Sequence, residues 1–157
     1  MFVNALNRLW KRMKYRKVII AGSKKVTNME DIRFPYDYVD WIYDNVKLAE
    51  LYSDSIFVNT GLNEALPRPS YVAMACGATV ITTNGCGAVE HAEDNKNCFE
   101  IKTGDADGLS RKLDFVLSFV ESRRYIGNDA ILTASKYNWH DVSKRITALF
   151  KREMKLS

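Results

Sequence analysis

The sequence predicts an α/β fold built on a doubly wound, mainly parallel sheet, and three observations carry that expectation. Short apolar runs alternate along the chain with segments of helical periodicity. The stretch from Phe57 to Gly87 reads as buried strand, polar loop, short helix, second buried strand and glycine-rich turn, the pattern of a parallel crossover. The 157 residues are 46% hydrophobic and 27% charged, which suits one soluble domain with a core of its own. Ligands of such sheets bind outside the carboxyl ends of the strands. Glu64 and the Gly85-Cys86-Gly87 turn belong to that end, so a site is expected there.

At the amino terminus, Phe2, Leu6, Leu9, Trp10 and Met13 recur at helical spacing, with Arg8, Lys11, Arg12 and Lys14 on the other face. Such a helix either packs its apolar stripe on the sheet or lies on an anionic membrane surface. Residues 17–21 form a short apolar run, a core strand. It ends in Gly22-Ser23-Lys24-Lys25, a solvated turn or a weak phosphate-facing one. Pro35 to Trp41 is aromatic and β-leaning, a strand or an irregular edge. Tyr36, Tyr38, Trp41 and Tyr43 there are core or edge packing, with stacking on a base as the alternative.

Asn45 is placed to cap a helix through Val46, Ala49 and Leu51. A break at Ser53-Asp54 leads into the strand Ile56-Phe57-Val58-Asn59. After the central stretch, residues 95–97 read as a turn and Phe99 to Ile101 as a strand. Thr103-Gly104-Asp105 opens a helix whose apolar positions are Leu109, Leu113, Val116, Leu117 and Val120. Helix continues from Arg123 to Ser135, and Trp139 to Met154 forms the last one, with Val142, Ile146, Leu149 and Phe150 on one face. There is no internal repeat, low-complexity tract or evident linker.

Composition also excludes several classes. A net charge of +4, much of it near the amino terminus, does not describe a nucleic-acid protein, and no nucleic-acid partner is expected. Three cysteines (Cys76, Cys86 and Cys98) without CxxC spacing argue against a disulfide framework and for a reducing cytoplasm. His91 and His140 lack metal-ligand spacing, so no metal site is expected. No apolar run approaches the roughly 20 residues that span a bilayer, and no secretory signal is visible. A dinucleotide enzyme is disfavoured because no GxGxxG fingerprint joins a strand to a helix.

The order LAELYSDSIFVNTGLNEALPRPSYVAMACGATVITTNGCGAVEHAEDNKN resembles the donor-binding half of GT-B glycosyltransferases, in particular glycosyltransferase family 4, the glycosyl transferases group 1 family. The corresponding pieces are Leu48 to Val58, Glu64, Ala73-Met74-Ala75-Cys76-Gly77, Thr79-Val80-Ile81 and Gly85 to Glu90. The Gly104-Asp105 helix and Tyr137-Asn138-Trp139 resemble the family's closing elements. The resemblance covers roughly residues 18–146. It implies a Rossmann-like domain, residues 1–157, forming the C-terminal half of a GT-B fold, with the acceptor domain outside this chain.

The resemblance further implies a nucleotide-diphosphate sugar as donor substrate, no cofactor, no essential metal and a carbohydrate or lipid-linked acceptor, as in polysaccharide biosynthesis. The acceptor would be held by a missing N-terminal domain or a partner chain. Localisation is then cytoplasmic, with the membrane surface as a further option from the basic first helix. Glu64 matches the family's first glutamate, which faces the transferred sugar. Donor contacts are implied for Gly61, Leu62, Asn63, Arg68, Pro69, Ser70, Gly85, Gly87 and Glu90.

The chemistry fits that role. Helix N-termini and backbone N–H groups attract a diphosphate, carboxylates accept hydrogen bonds from hydroxyls, and glycine permits close approach.

Three departures stand out. The family's second glutamate, the ribose-binding one, falls at Val72, which offers no acceptor. The family's diphosphate-binding arginine and lysine have no match, and Lys11, Lys14, Lys24 and Lys25 are only stand-ins. Cys98 replaces a glycine and reads as a packing residue. The alternative function is therefore a non-catalytic GT-B-like binding module that has lost transfer. Ser70 is a helix-capping or phosphate-binding serine, since neither histidine offers a triad context.

Overall fold

The computed structural model describes residues 1–13, 16–22, 31–61, 67–85 and 91–154. Among them five strands and six α-helices follow one another in the order the periodicities suggest. Helix α1 (Phe2–Leu9) runs into a single 3₁₀ turn (Trp10–Arg12). Strands β1 (Ile19–Ala21) and β2 (Asp37–Val39) pair in parallel, with Ile20 opposite Tyr38. Helix α2 (Asn45–Tyr52) leads to β3 (Ile56–Asn59), α3 (Arg68–Ala75), β4 (Thr79–Thr83) and β5 (Phe99–Ile101). Strands β3, β4 and β5 form a second parallel sheet in that order, with Asn59 opposite Thr82 and Thr83 opposite Ile101. Helices α4 (Ala106–Ser118), α5 (Val120–Ser135) and α6 (Trp139–Glu153) complete the described chain.

Strand alternation explains why helices cover this sheet on both faces. Successive side chains point to opposite sides, and a parallel sheet buries both. Ile56, Val58, Ile81, Phe99 and Ile101 join one core with Ala5, Leu6 and Leu9 of α1 and Leu109, Leu113 and Val116 of α4. Phe57, Val80 and Cys98 join the other, with Ala73 and Met74 of α3 and Ala130 of α5. The first helix thus buries its stripe against this core, as the packing alternative requires. Its apolar face is not free for a membrane.

Helix α3 stops at Gly77, whose φ of 75° suits a residue without a Cβ. Gly77 N–H donates to Met74 O at 3.0 Å and Ala78 N–H to Ala73 O at 3.0 Å, which closes the helix end. Helix α5 rests directly on this turn. A Cβ added at Gly127 would lie 2.5 Å from the Gly77 carbonyl oxygen.

Two local expectations change. The α2 cap is Asp44 rather than Asn45, and its carboxylate accepts from the N–H groups of Val46 and Lys47 at 2.9 and 3.3 Å. A short acceptor in extended backbone one residue earlier satisfies two orphan donors at once. The helix opened by Asp105 ends before Val120, because Phe119 leaves helical geometry and α5 begins anew. Asp105 itself caps α4 as expected, accepting from Gly108 N–H at 2.7 Å. No helix among the described residues is long and apolar enough to cross a membrane.

Candidate functional site

The carboxyl ends of β3 and β4 meet the start of α3, and side chains lock the junction. Asn59, the last residue of β3, accepts from Gly61 N–H at 2.9 Å through Oδ1. Its Nδ2 donates to Ser70 Oγ in the first turn of α3 at 3.2 Å. Thr83, the last residue of β4, donates through Oγ1 to Gly61 O at 2.8 Å. Gly61 is therefore held on both its amide and its carbonyl, and the chain leaves the sheet in one direction. Buried polar groups satisfied in this way fix a backbone path.

The polar pieces are arranged as an anion site requires. Pro67 precedes α3, and among the described residues no side chain caps the helix. Ser70 N–H and Tyr71 N–H both turn back to Pro67 O, at 2.9 and 3.4 Å. The positive end of the helix dipole thus faces the strand edge, with no carboxylate among the described residues to neutralise it. Arg68 and Pro69 are exposed at this end, and Arg68 forms no ion pair among the described residues. Gly85 lies just beyond β4, where a Cβ would meet Thr103 Oγ1 at 3.1 Å, tighter than ordinary contact.

The expected residues therefore divide. Gly61, Arg68, Pro69, Ser70 and Gly85 lie at the carboxyl edge of the sheet. Ser70 is fully buried within α3 and receives the Asn59 amide, so it ties helix to strand and is not the cap of α3. Glu64, Leu62, Asn63, Gly87 and Glu90 lie outside the described residues, as do Lys14, Lys24, Lys25 and Cys86. Val72, one turn after Arg68, is 37% exposed on the outer side of α3. No packing demand of the core holds an apolar residue there.

Sequence reasoning missed two supports. Asn97, fully buried, donates through Nδ2 to His91 O at 2.8 Å and to Thr133 Oγ1 at 3.0 Å. Its Oδ1 accepts from Glu93 N–H at 2.9 Å. The His91 ring stacks on Tyr71 of α3 with centroids 3.9 Å apart, and Tyr71 meets Tyr137 edge-on at 5.0 Å. The segment that follows β4 is thereby fastened to α3 and α5. An asparagine in a turn-like tripeptide was the one available signal, and its partner Thr133 is remote in sequence.

Other candidates resolve into packing. Cys98 is fully buried, and burial first, then Glu100 and Asp94, push its thiol up to about 12. A thiol held protonated in this way is inert. Tyr36 packs edge-on with Phe34, and the Tyr38 hydroxyl donates to Gly22 O, whereas Trp41 and Tyr43 are exposed. Among the described residues no group of three His, Cys, Asp or Glu side chains is arranged to hold a metal ion.

A cavity of about 250 Å³ opens at the opposite, amino edge of the sheet, lined by Asp54, Ser55, Gly77, Thr79, Arg123 and Arg124, among others. It shares no residue with the network around Asn59. The strand topology and the free start of α3 make the carboxyl edge the candidate site instead.

Comparison with known proteins agrees with this architecture. The family model described as glycosyl transferases group 1 matches residues 1–133. No curated protein matches the sequence. Among solved structures, a glycosyltransferase from Rickettsia africae ESF-5 superposes with a TM-score of 0.82 at 22% identity, over 99% of this chain and 44% of that one. Anabaena HepE in complex with UDP-glucose gives 0.80 at 17% identity, over 96% of this chain and 44% of that one. The C-terminal domain of the glycosyl transferase group 1 family protein LpcC from Francisella tularensis gives 0.72 at 17% identity, over 86% and 76%. The chain thus spans less than half the length of the first two solved proteins.

Proposed function

This chain belongs to the glycosyl transferases group 1 family, and we propose that it is the nucleotide-sugar-binding half of a GT-B glycosyltransferase. The observation that carries the reading is the start of α3, uncapped among the described residues and with Arg68 beside it, at the carboxyl edge of β3 and β4. A diphosphate placed there meets the positive helix end and a guanidinium with no ion pair among the described residues. The structural neighbour in complex with UDP-glucose, matched over 96% of this chain, supports the same ligand class.

In this reading the protein's own groups perform three tasks. The Asn59–Gly61–Thr83 hydrogen bonds hold the loop that carries Glu64 to the sheet edge. Arg68 and the α3 terminus stabilise the charge that grows on the departing diphosphate as the glycosidic bond to it breaks. Glu64 orients the transferred sugar through its hydroxyls. The acceptor, a carbohydrate or a lipid-linked sugar, is held by a second α/β domain or a partner chain. This half alone binds donor and transfers little. Further donor contacts in this reading come from Gly61, Leu62, Asn63, Pro69, Ser70, Gly85, Gly87 and Glu90. The chemistry assigned to these residues requires no cofactor, and the setting is the cytoplasm.

Calorimetry with UDP- and GDP-sugars tests the assignment. Glu64→Ala should weaken binding by about tenfold or more, the loss of a charge-assisted hydrogen bond. Unchanged binding would remove Glu64 from the site. A second reading, a binding module without transfer, rests on Val72, whose exposed side chain leaves a ribose without its carboxylate. In the same titration Val72→Glu should tighten nucleotide binding several-fold while leaving the melting temperature within a few degrees, as expected for an exposed position. If the wild-type chain, joined to an acceptor half, transfers no sugar from any donor it binds, the module reading stands.

A further inference from the structure

The cavity at the amino edge of the sheet takes no part in the network around Asn59, and its lining leaves a charge unanswered. Helix α5 rests on the turn at Gly77, so Arg123, Arg124 and Asn128 border the space beside the starts of β3 and β4. Thr79, the first residue of β4, donates through Oγ1 to Arg123 O at 3.4 Å and ties α5 to the strand there. Arg123 is half-buried, and its Nε is closed off from solvent with no hydrogen-bond partner. The side chain forms no ion pair among the described residues either. Asp54 lines the same cavity, but it is exposed and lies beyond ion-pair distance of both arginines. Arg124 meets only Glu121 one turn away, at 3.7 Å and with both side chains exposed.

We propose that this cavity is a second ligand site, in which Arg123 and Arg124 bind a small oxyanion of the phosphate class, free or as a monoester. Two features select an anion. The first is the state of Arg123. A charged group partly withdrawn from water is costly without a counter-charge, and a buried donor without a partner is rare in folded proteins. The fold supplies Arg123 with neither, and an anion in the space it borders would supply the charge. The second is the balance of the lining, where two guanidinium groups stand against one exposed carboxylate. Arginine presents planar, paired donors that match the oxygens of a phosphate group. At about 250 Å³ the space falls below the roughly 300–1,000 Å³ usual for larger ligands, which suits a small ion rather than a nucleotide. The site does not depend on the sugar-transfer reading. Ser55 and Thr79 stand at the starts of β3 and β4, whereas Asn59 and Thr83 hold the donor edge at their opposite ends.

The test is a titration of the isotope-labelled chain with sodium phosphate or glycerol phosphate, followed by amide NMR, against sodium chloride at equal ionic strength. The Gly77 and Gly127 amides should shift saturably with the phosphates and not with chloride. The Gly61 and Gly85 amides report the donor edge separately. Arg123→Gln should weaken the response at Gly77 and Gly127 about tenfold or more, and Arg123→Lys, which keeps the charge without the fork, by less. Arg68→Gln should leave that response unchanged. In chloride Arg123→Gln should keep its melting temperature, because Nε has no partner to lose, and it should lack the rise that phosphate gives the wild-type chain. The tighter of the two probes identifies the ligand as free or esterified phosphate. Absence of a saturable shift at Gly77 and Gly127 overturns the proposal, and so does a shift that Arg123→Gln leaves intact. Shifts confined to Gly61 and Gly85 overturn it as well, while leaving the glycosyltransferase reading in place.

Discussion

The first and last helices are the same kind of sequence with opposite fates. Both place large apolar residues on one face and bases on the other. In α1, Ala5, Leu6 and Leu9 are buried, and Met13 follows them into the core just beyond the 3₁₀ turn. Its bases find acids on α4, with Arg8 paired to Asp107 and Arg12 to Asp114. In α6 no residue is buried, and three of its four bases pair with nothing among the described residues. Amphipathicity thus states that a face needs cover without stating what covers it. What distinguishes the two is a complementary partner: α4 offers α1 both an apolar stripe (Leu109, Leu113 and Val116) and two aspartates, and no described element offers α6 either.

The widest separation should come from truncating one leucine on each helix. Leu9→Ala removes a buried side chain between α1 and the core and should cost about 2–5 kcal/mol of unfolding free energy. Leu149→Ala, half exposed on α6, should change it by no more than about 0.5 kcal/mol. Urea titrations of the two variants make the comparison directly. Equal losses would mean that α6 is already covered in the free chain.

Hydrogen exchange reads the same contrast without mutation. A helix of about 15 residues is marginal in water when nothing packs on it, and most helical stability in proteins comes from the packed face. The amides of α4, whose Leu109 and Val116 are fully buried, should exchange at least about tenfold more slowly than those of α6.

How much was legible in advance follows from the same distinction between local pattern and partner. Strands β3 and β5 were readable to the residue because short apolar runs sit between turn signals. The two faces of the sheet followed from simple alternation. The cap of α2 moved from Asn45 to Asp44 because both residues can cap, and only the backbone decides between them. The break at Phe119 carries no glycine or proline, so the run of helical residues hid it. At the site, the crossover pattern drew Glu64 and the Gly85-Cys86-Gly87 turn to the carboxyl ends of the strands, and Gly61, Arg68, Pro69 and Ser70 entered with the family resemblance. Their donor-binding roles rest on the family resemblance, and Glu64, the residue given the central task, lies outside the described residues. Asn97 was out of reach for another reason. Its value lies in reaching His91, Glu93 and Thr133 at once, and that is a property of the folded chain.

The smallest expected difference concerns the charges, and it asks whether α1 owes its position to them. Arg12 Nη1 lies 3.1 Å from Asp114 Oδ2, with the Arg12 side chain 70% and the Asp114 side chain 37% exposed. Exposed pairs of this kind contribute about 0–1 kcal/mol and are screened by salt. Asp114→Asn should therefore lower stability by less than about 1 kcal/mol at low ionic strength, with the deficit vanishing in concentrated sodium chloride. A loss as large as that of Leu9→Ala would mean that the aspartates direct the docking of α1 and that its apolar stripe merely follows. The expected small loss assigns the anchoring to Leu6, Leu9 and Met13. The bases of α1 then serve to choose among apolar partners.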